Sequence, residues 1–292
     1  MSDYKPTAKE IKELREKTLA GFQDCQKALA EAGGDPEAAE DIIRKKGLQV
    51  AVKKAHRETA EGLIVAKISD DKSCGSMVEV NCESDFVCKT EQFQNLTIVL
   101  AHHALAKAPE DICDGTTLYD HELHPSGGKT VKTAIDEVIG KIGENMGLKQ
   151  AVRFKAAEPG VVHAYIHPPG KVGVLVEVGF DKPEDKDKAD QLAHELTLQI
   201  AFANPDYIIP ADVPEKVLAR EREIAESKAR DQGKPEHMIP KIAEGMLRKY
   251  YADACLLEQP FAKDPKMPVK DLIAKSGISG ATVRRFARFS LK

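Results

Sequence analysis

The sequence has no tryptophan, few other aromatic residues and almost no net charge. Six tyrosines and nine phenylalanines are too few for platforms on which nucleic-acid bases stack. The 43 basic and 47 acidic side chains give a formal charge of −4, and no basic block stands out along the chain. Because a dedicated nucleic-acid binder carries a net basic surface, we expect no nucleic-acid partner.

Long apolar runs are also missing. The stretch 96–105 is interrupted by Thr97, His102 and His103 and is far shorter than the roughly 20 residues that span a membrane. The N-terminus opens into a charged helical pattern without the apolar region of a signal peptide. Six scattered cysteines show no disulfide spacing, which is typical of a reducing cytosol. We therefore expect a cytoplasmic protein with no membrane partner.

The first part of the chain predicts three short helices. Thr7 and Glu10 form a capping box before the first helix, and the Gly33-Gly34 pair ends the second. The third begins at Pro36 and is expected to end near Gly47. A module of this size has a thin core, so it binds a protein more often than it performs chemistry.

An internal repeat organises the middle of the chain. Gly62–Ile68 matches Gly160–Ile166, and the segment 75–80 matches 173–178 at the same offset of 98 residues. Each pair reads as a β-hairpin, and a helix is predicted after each, over 84–106 and about 186–203. The predicted fold is therefore α+β, with a duplicated strand-strand-helix core.

Two charged helical segments, 215–231 and 238–254, predict an antiparallel hairpin joined by a Gly-Pro turn. The second carries an apolar stripe, and the first offers a seam that includes Ile224. A last helix near 269–275 and a strand near 282–290 return to the core. The expected domains are an N-terminal module over 1–56, core subdomains over 57–149 and over 150–212 with 256–292, and an inserted hairpin over 213–255.

Two patterns resemble chemical sites and fail on inspection. The segment 126–130 ends like a phosphate-binding loop, but Leu123 stands where its first glycine is required, so Thr130 is better interpreted as a helix cap. His121 and His124, or Cys82 and Cys88, supply too few ligands for a zinc site. We expect no metal, no cofactor and no enzyme activity, with a thiol enzyme that uses Cys82 or Cys88 as a distant alternative.

The segment Glu83–Val87 follows the second strand of the first hairpin, with Ser84 or Asp85 available to cap the next helix. Phe86 then lies on the first helical turn, at a corner of the domain. One interpretation folds this ring under its own sheet, and the other leaves it exposed at a specialised tip. The second repeat favours the tip, because its matching corner, Gly179–Pro183, is built differently.

Three ordered motifs resemble the bacterial translation elongation factor Ts family over nearly the whole chain. They are Glu13–Thr18 with Ala20–Leu29, Glu79–Val87, and His167 with Gly173–Val176. The resemblance implies a ubiquitin-associated (UBA-like) N-terminal module, a duplicated core and an inserted coiled-coil hairpin. The sequence departs from the family at Phe22-Gln23, where many members carry methionines, and at Ser84, where threonine is more usual. The last predicted strand ends near residue 290, so we expect the contact made by the C-terminal helix of longer members to be missing here.

The function implied by this resemblance is guanine-nucleotide exchange on elongation factor Tu, with GDP released when the magnesium and phosphate site is disturbed. Cores of this family can pair through their sheets into a homodimer that binds two GTPases in a 2:2 complex, and the sequence leaves the oligomeric state of this chain open. The main alternative is a protein-interaction scaffold that uses the helical module. The implied site residues are Ser84, Asp85, Phe86 and Val87 near the magnesium of the GTPase, and Arg15, Phe22, Gln23 and His167 at its other contacts.

Overall fold

The computed structural model describes residues 4–18 and 20–291, and it has the mixed α+β composition that the sequence predicts. Backbone contacts group the chain into two compact units. The first unit comprises 1–67, 76–153 and 290–292, and the second comprises 68–75 and 154–289. The division into four domains stays a prediction.

The chain begins with three helices around a small apolar core. The predicted capping box is present: the Thr7 backbone N–H donates to Glu10 Oε2 over 2.7 Å, and the Glu10 N–H donates to Thr7 Oγ1 over 3.3 Å. The third helix is capped by the Asp35 carboxylate, as its Asp-Pro start indicates. The helices are α1 (Ala8–Thr18), α2 (Phe22–Glu31) and α3 (Pro36–Lys54). Their shared core consists of Ile11, Leu14, Cys25, Ala28, Leu29 and Ala39.

The first repeat forms a four-stranded sheet covered by helices. Its strand order is β1-β2-β4-β3, and the predicted hairpin supplies the first two strands. Phe93, Leu100 and Ile135 are among the helical side chains buried in its core. The elements are β1 (Glu61–Ile68), β2 (Cys74–Cys82), α4 (Asp85–Cys88), α5 (Glu91–Lys107), β3 (Cys113–Asp114), α6 (Val131–Ile142) and β4 (Met146–Lys155).

Strand β4 is absent from the predicted strand-strand-helix unit. Its buried residues do not alternate regularly, because Ala151 and Val152 are both buried and Lys149 and Gln150 stand together before them. Met146, Leu148, Val152 and Phe154 keep a period-2 pattern that Gln150 interrupts, so the sequence signal is weakened and pairing with β2 and β3 completes the strand.

The expected end of α3 near Gly47 is wrong, since the helix continues to Lys54. Gly47 lies against Gly140 of α6, where a Cβ atom built on Gly140 would come within 2.5 Å of Gly47 Cα. The glycine at position 47 thus serves the close approach of two helices rather than a helix end. Its helix-breaking signal is overridden by packing.

The second repeat confirms the predicted hairpin and the helix that follows it. Its antiparallel pair runs in register from Gly160 opposite Gly179 to His167 opposite Val172, and a third strand completes the order β5-β6-β9. The elements are β5 (Gly160–His167), β6 (Val172–Gly179), α7 (Lys186–Ala203), α8 (Glu215–Asp231), α9 (Ile239–Ala254), β7 (Pro260–Phe261), β8 (Asp264–Pro268), α10 (Val269–Ala274) and β9 (Thr282–Ser290).

Helices α8 and α9 pack against each other, as the charge and turn pattern predicts. The contact buries Ala225 and Ala229 of α8 together with Ala243 and Leu247 of α9. Ile224, expected in the seam, is half exposed instead, because the buried stripe of α8 is made of small residues. Among the described residues, no helix is long and apolar enough to cross a membrane.

Two adjacent histidines on α5 have different surroundings, as the sequence suggests. His102 is partly exposed, whereas His103 is fully buried. The His103 Nδ1 atom accepts the backbone N–H of His124 over 3.1 Å, and its Nε2 atom has no hydrogen-bond partner. Burial, reinforced by His121, His124 and Lys107, lowers the pKa of His103 to about 4.

The folded state therefore favours neutral His103. We expect the free energy of unfolding to fall as the pH drops from about 6.5, the ordinary pKa of histidine, towards about 4. A His103→Asn variant keeps an acceptor for the His124 N–H and removes the titration. Urea denaturation between pH 7 and pH 4 measures the effect, and equal pH dependence in wild type and variant would contradict it.

The Gly47–Gly140 contact predicts an opposite response at two helical glycines. Gly140→Ala places a methyl group against the α3 backbone and should lower the free energy of unfolding by about 1–3 kcal/mol. Gly245→Ala on α9 meets no atom within 4 Å and should raise it by up to about 1 kcal/mol. Thermal denaturation of both variants checks the pair, and stabilisation by both would show that α3 and α6 do not touch there.

Candidate functional site

The segment after β2 forms a tip that combines a two-residue turn and a one-turn helix. The continuous helix expected over 84–106 is wrong: α4 ends at Cys88, and Thr90 begins α5 by accepting the Phe93 N–H over 3.4 Å. Thr90 is a second helix cap inside the predicted helix, and a short polar side chain before an acidic residue is the signal that sequence reading missed.

Phe86 is exposed at this tip. Three quarters of its surface (75%) is accessible, while the next residue, Val87, is only 2% exposed and packs in the core. The interpretation that folds Phe86 under its own sheet is therefore wrong. Because Val87 packs in the core, the ring of the preceding residue, Phe86, points away from the core.

Polar contacts hold the turn before α4. The Glu83 carboxylate accepts the Asn145 backbone N–H over 2.6 Å and pairs with Arg57 over 3.3 Å. The hydrogen bond from Asn145, helped by Arg57, lowers the pKa of Glu83 against the opposing effect of its desolvation. Ser84 occupies the N-cap position of α4, but its hydroxyl donates to Glu144 over 3.1 Å and does not cap the helix.

The charged face of the tip carries one ion pair. Asp85 Oδ2 lies 2.8 Å from Lys89 Nζ, and both side chains are largely exposed. The hydrogen bond from Lys89 to Asp85, with the attraction between their charges, raises the pKa of Lys89. Lys89 Nζ also lies 5.4 Å from the centre of the Phe86 ring, within the range of a cation–π contact. Lys89 therefore interacts with both Asp85 and Phe86, two of the expected site residues.

Two further groups of expected site residues lie elsewhere. Arg15 is exposed on α1, and Phe22 and Gln23 are exposed on the first turn of α2. These three belong to the three-helix part of the first unit, whereas Ser84–Val87 belong to the tip. All three side chains are therefore accessible on the three-helix part.

His167, expected in a loop, is the last residue of β5 and is exposed. Its Nδ1 atom lies 2.9 Å from the Tyr165 hydroxyl. Phe202, near the end of α7, is 79% exposed and lines the same shallow cavity as these two residues. Sequence reading missed Phe202; the available signal is its position off the buried stripe of α7, which ends at Ile200.

The structure also locates the other candidates. Thr130 caps α6 by accepting the Thr133 N–H over 3.1 Å, as expected. Within 4–18 and 20–291, no group of three histidine, cysteine or acidic side chains is arranged to hold a metal ion. Cys82 and Cys88 are both buried, which keeps them from a large substrate.

Comparison with known proteins gives a consistent result. The family described as Elongation factor TS matches residues 83–292. Elongation factor Ts of Aquifex aeolicus is 45% identical over 97% of this chain and 96% of its own length. Those of Trichlorobacter lovleyi and Symbiobacterium thermophilum are 41% and 42% identical over at least 97% of this chain and 91% of their own lengths. The chain therefore belongs to the elongation factor Ts family.

Proposed function

We propose that this chain is a guanine-nucleotide exchange factor for elongation factor Tu and that the tip at Ser84–Val87 disturbs the magnesium and phosphate site of the GTPase. The observation that carries the proposal is the exposure of Phe86 beside the buried Val87. A large apolar side chain held in water on a fixed support is suited to insert between the helices of a partner.

Exchange of this kind follows from linkage and needs no covalent step. A factor that binds best to the conformation with a disordered magnesium site lowers the affinity of the GTPase for GDP. GDP lowers the affinity of the GTPase for the factor by the same ratio. The chain therefore needs a surface that fits one conformation of the partner. The absence of a recognised catalytic motif in the sequence is compatible with this mechanism.

Asp85 supplies the charge for this tip. Its carboxylate is accessible and is balanced by Lys89 in the free protein. Near a bound magnesium ion, such a carboxylate changes the electrostatic surroundings of the ion and its water ligands. Because the pair is exposed and its attraction is weak, Lys89 can release Asp85 at little cost in free energy.

The other contacts are assigned by resemblance. Arg15, Phe22 and Gln23 on a UBA-like module bind the same GTPase domain, and His167 binds a second part of the partner. Helices α8 and α9 form the coiled-coil insertion, and two copies of the chain assemble with two GTPases. A protein-interaction scaffold would use the same helices without changing the affinity for GDP, so exchange assays separate the two.

Truncation of the exposed ring should remove exchange and leave the fold intact. Phe86→Ala should raise the activation free energy of GDP release by about 2 kcal/mol. Labelled GDP would then leave elongation factor Tu roughly thirtyfold more slowly than with wild type. Its free energy of unfolding should change by less than about 0.5 kcal/mol, because the ring contributes little to the core.

The matched control for this variant is Val52→Ala, which shortens a 77% exposed apolar side chain on α3 outside the expected site. It should leave both GDP release and stability unchanged. Unchanged release with Phe86→Ala would overturn the assignment of the tip, and a large loss of stability would restore a core role for the ring.

Removal of the charge at Asp85 tests the electrostatic part separately. Asp85→Asn should slow GDP release at millimolar Mg²⁺ and lose most of that defect when Mg²⁺ is chelated, because the variant retains Phe86. Glu91→Gln, an exposed acidic residue on the first turn of α5, is the control and should behave as wild type. A defect of equal size with and without Mg²⁺ would exclude this role for Asp85.

A further inference from the structure

Cys82 and Cys88 flank the tip and face each other. Cys82 is the last residue of β2, Cys88 is the last residue of α4, and their Sγ atoms lie 3.5 Å apart. Both side chains are reduced thiols. Cys82 is fully buried, and Cys88 keeps 8% of its surface accessible. The pair encloses Glu83, Ser84, Asp85, Phe86 and Val87.

The two sulfur atoms are in van der Waals contact, at a separation longer than a disulfide bond. Bond formation at about 2.05 Å requires the sulfur atoms to approach by about 1.5 Å. Strand β2 lies between β1 and β4 and is held on both sides. Helix α4 has only four residues and is separated from α5 by Lys89 and Thr90. The approach therefore moves α4 towards β2.

We propose that Cys82 and Cys88 form a reversible disulfide in response to hydrogen peroxide and that this bond slows nucleotide exchange. The sulfur of Cys88, the more accessible of the two, attacks one peroxide oxygen, breaks the O–O bond and becomes a sulfenic acid as the first water leaves. The sulfur of Cys82 then displaces the sulfenic oxygen as the second water. Two thiols and one hydrogen peroxide thus give one disulfide and two waters.

The effect on exchange rests on the function proposed above. Asp85 and Phe86 are carried by α4, so a shift of Cys88 towards β2 moves both side chains from the positions in which the reduced protein presents them. Reduction by a dithiol restores the starting geometry and the exchange rate.

Peptide mapping tests the bond itself. The reduced protein is treated with hydrogen peroxide, its remaining thiols are alkylated, and it is cleaved after lysine and glutamate. Glu83 separates the two cysteines and Glu79 separates both from Cys74, so the disulfide joins Val80–Glu83 to Ser84–Lys89. We expect this linked pair, sensitive to dithiothreitol. Its absence while peroxide oxidises other cysteines would overturn the proposal.

Release of labelled GDP from elongation factor Tu tests the consequence, with the oxidised factor separated from peroxide before mixing. Oxidised wild type should be at least about fivefold slower than reduced wild type, the lower end of coupling between sites. Cys88→Ala should be insensitive to peroxide, and the control Cys113→Ala, on β3, should respond like wild type. Equal rates for linked and reduced protein would overturn the switch.

These two readouts separate the proposals. If reduced wild type fails to accelerate GDP release, the proposed function and the rate effect both fall, while the linked peptides still decide whether the thiols form the bond. If Cys88→Ala loses exchange before any oxidation, Cys82→Ala replaces it as the peroxide-resistant variant. A peroxide response in both variants would place the sensitive group elsewhere.

Discussion

The burial of Val87 next to an exposed Phe86 is the constraint on which the account of this protein depends. Burying a phenylalanine side chain stabilises a fold by about 2 kcal/mol. This protein lacks that stabilisation at Phe86, because its ring is exposed to water. The turn before the ring is fixed by Glu83, whose carboxylate binds the Asn145 backbone and Arg57. A rigid support and an unburied ring together describe a surface made for a partner.

The two repeats share one framework and differ in the segment that follows the second strand. Glu79 and Glu177 occupy matching positions and are both buried: the first pairs with Gln150 over 2.6 Å, and the second with Arg285 over 2.6 Å. The chain then diverges, because the same offset of 98 residues places the exposed Phe86 opposite the exposed acidic residue Glu184. The framework is duplicated, and the exposed ring after the second strand belongs to the first copy.

Local signals predicted the caps, hairpins and helical pair well. The capping box at Thr7, the cap at Thr130 and the two hairpins each depend on residues close in sequence. Two of the errors arise from packing between distant segments. Gly47 continues a helix because it meets Gly140, and β4 forms because two other strands pair with it.

The position of the exposed tip could be predicted from the sequence, and its geometry could be predicted only in part. The motif around Phe86 identified the tip, yet sequence alone left open whether the ring is buried. The break at Thr90 has a local cause, the cap that was missed, whereas the bond from Ser84 to Glu144 joins residues 60 apart in the chain. The contact between Cys82 and Cys88 depends on how α4 folds back on β2. Phe202 was missed because a single apolar residue off a buried stripe is a weak signal.

The central claim is that this chain, through its tip, lowers the affinity of elongation factor Tu for GDP, and that GDP lowers its affinity for this chain. The most direct test measures, by calorimetry, the dissociation constant of the chain for elongation factor Tu with GDP bound and with no nucleotide. The account predicts tighter binding to the nucleotide-free form, by the same ratio as the chain weakens GDP. Equal affinity for the two forms would contradict it.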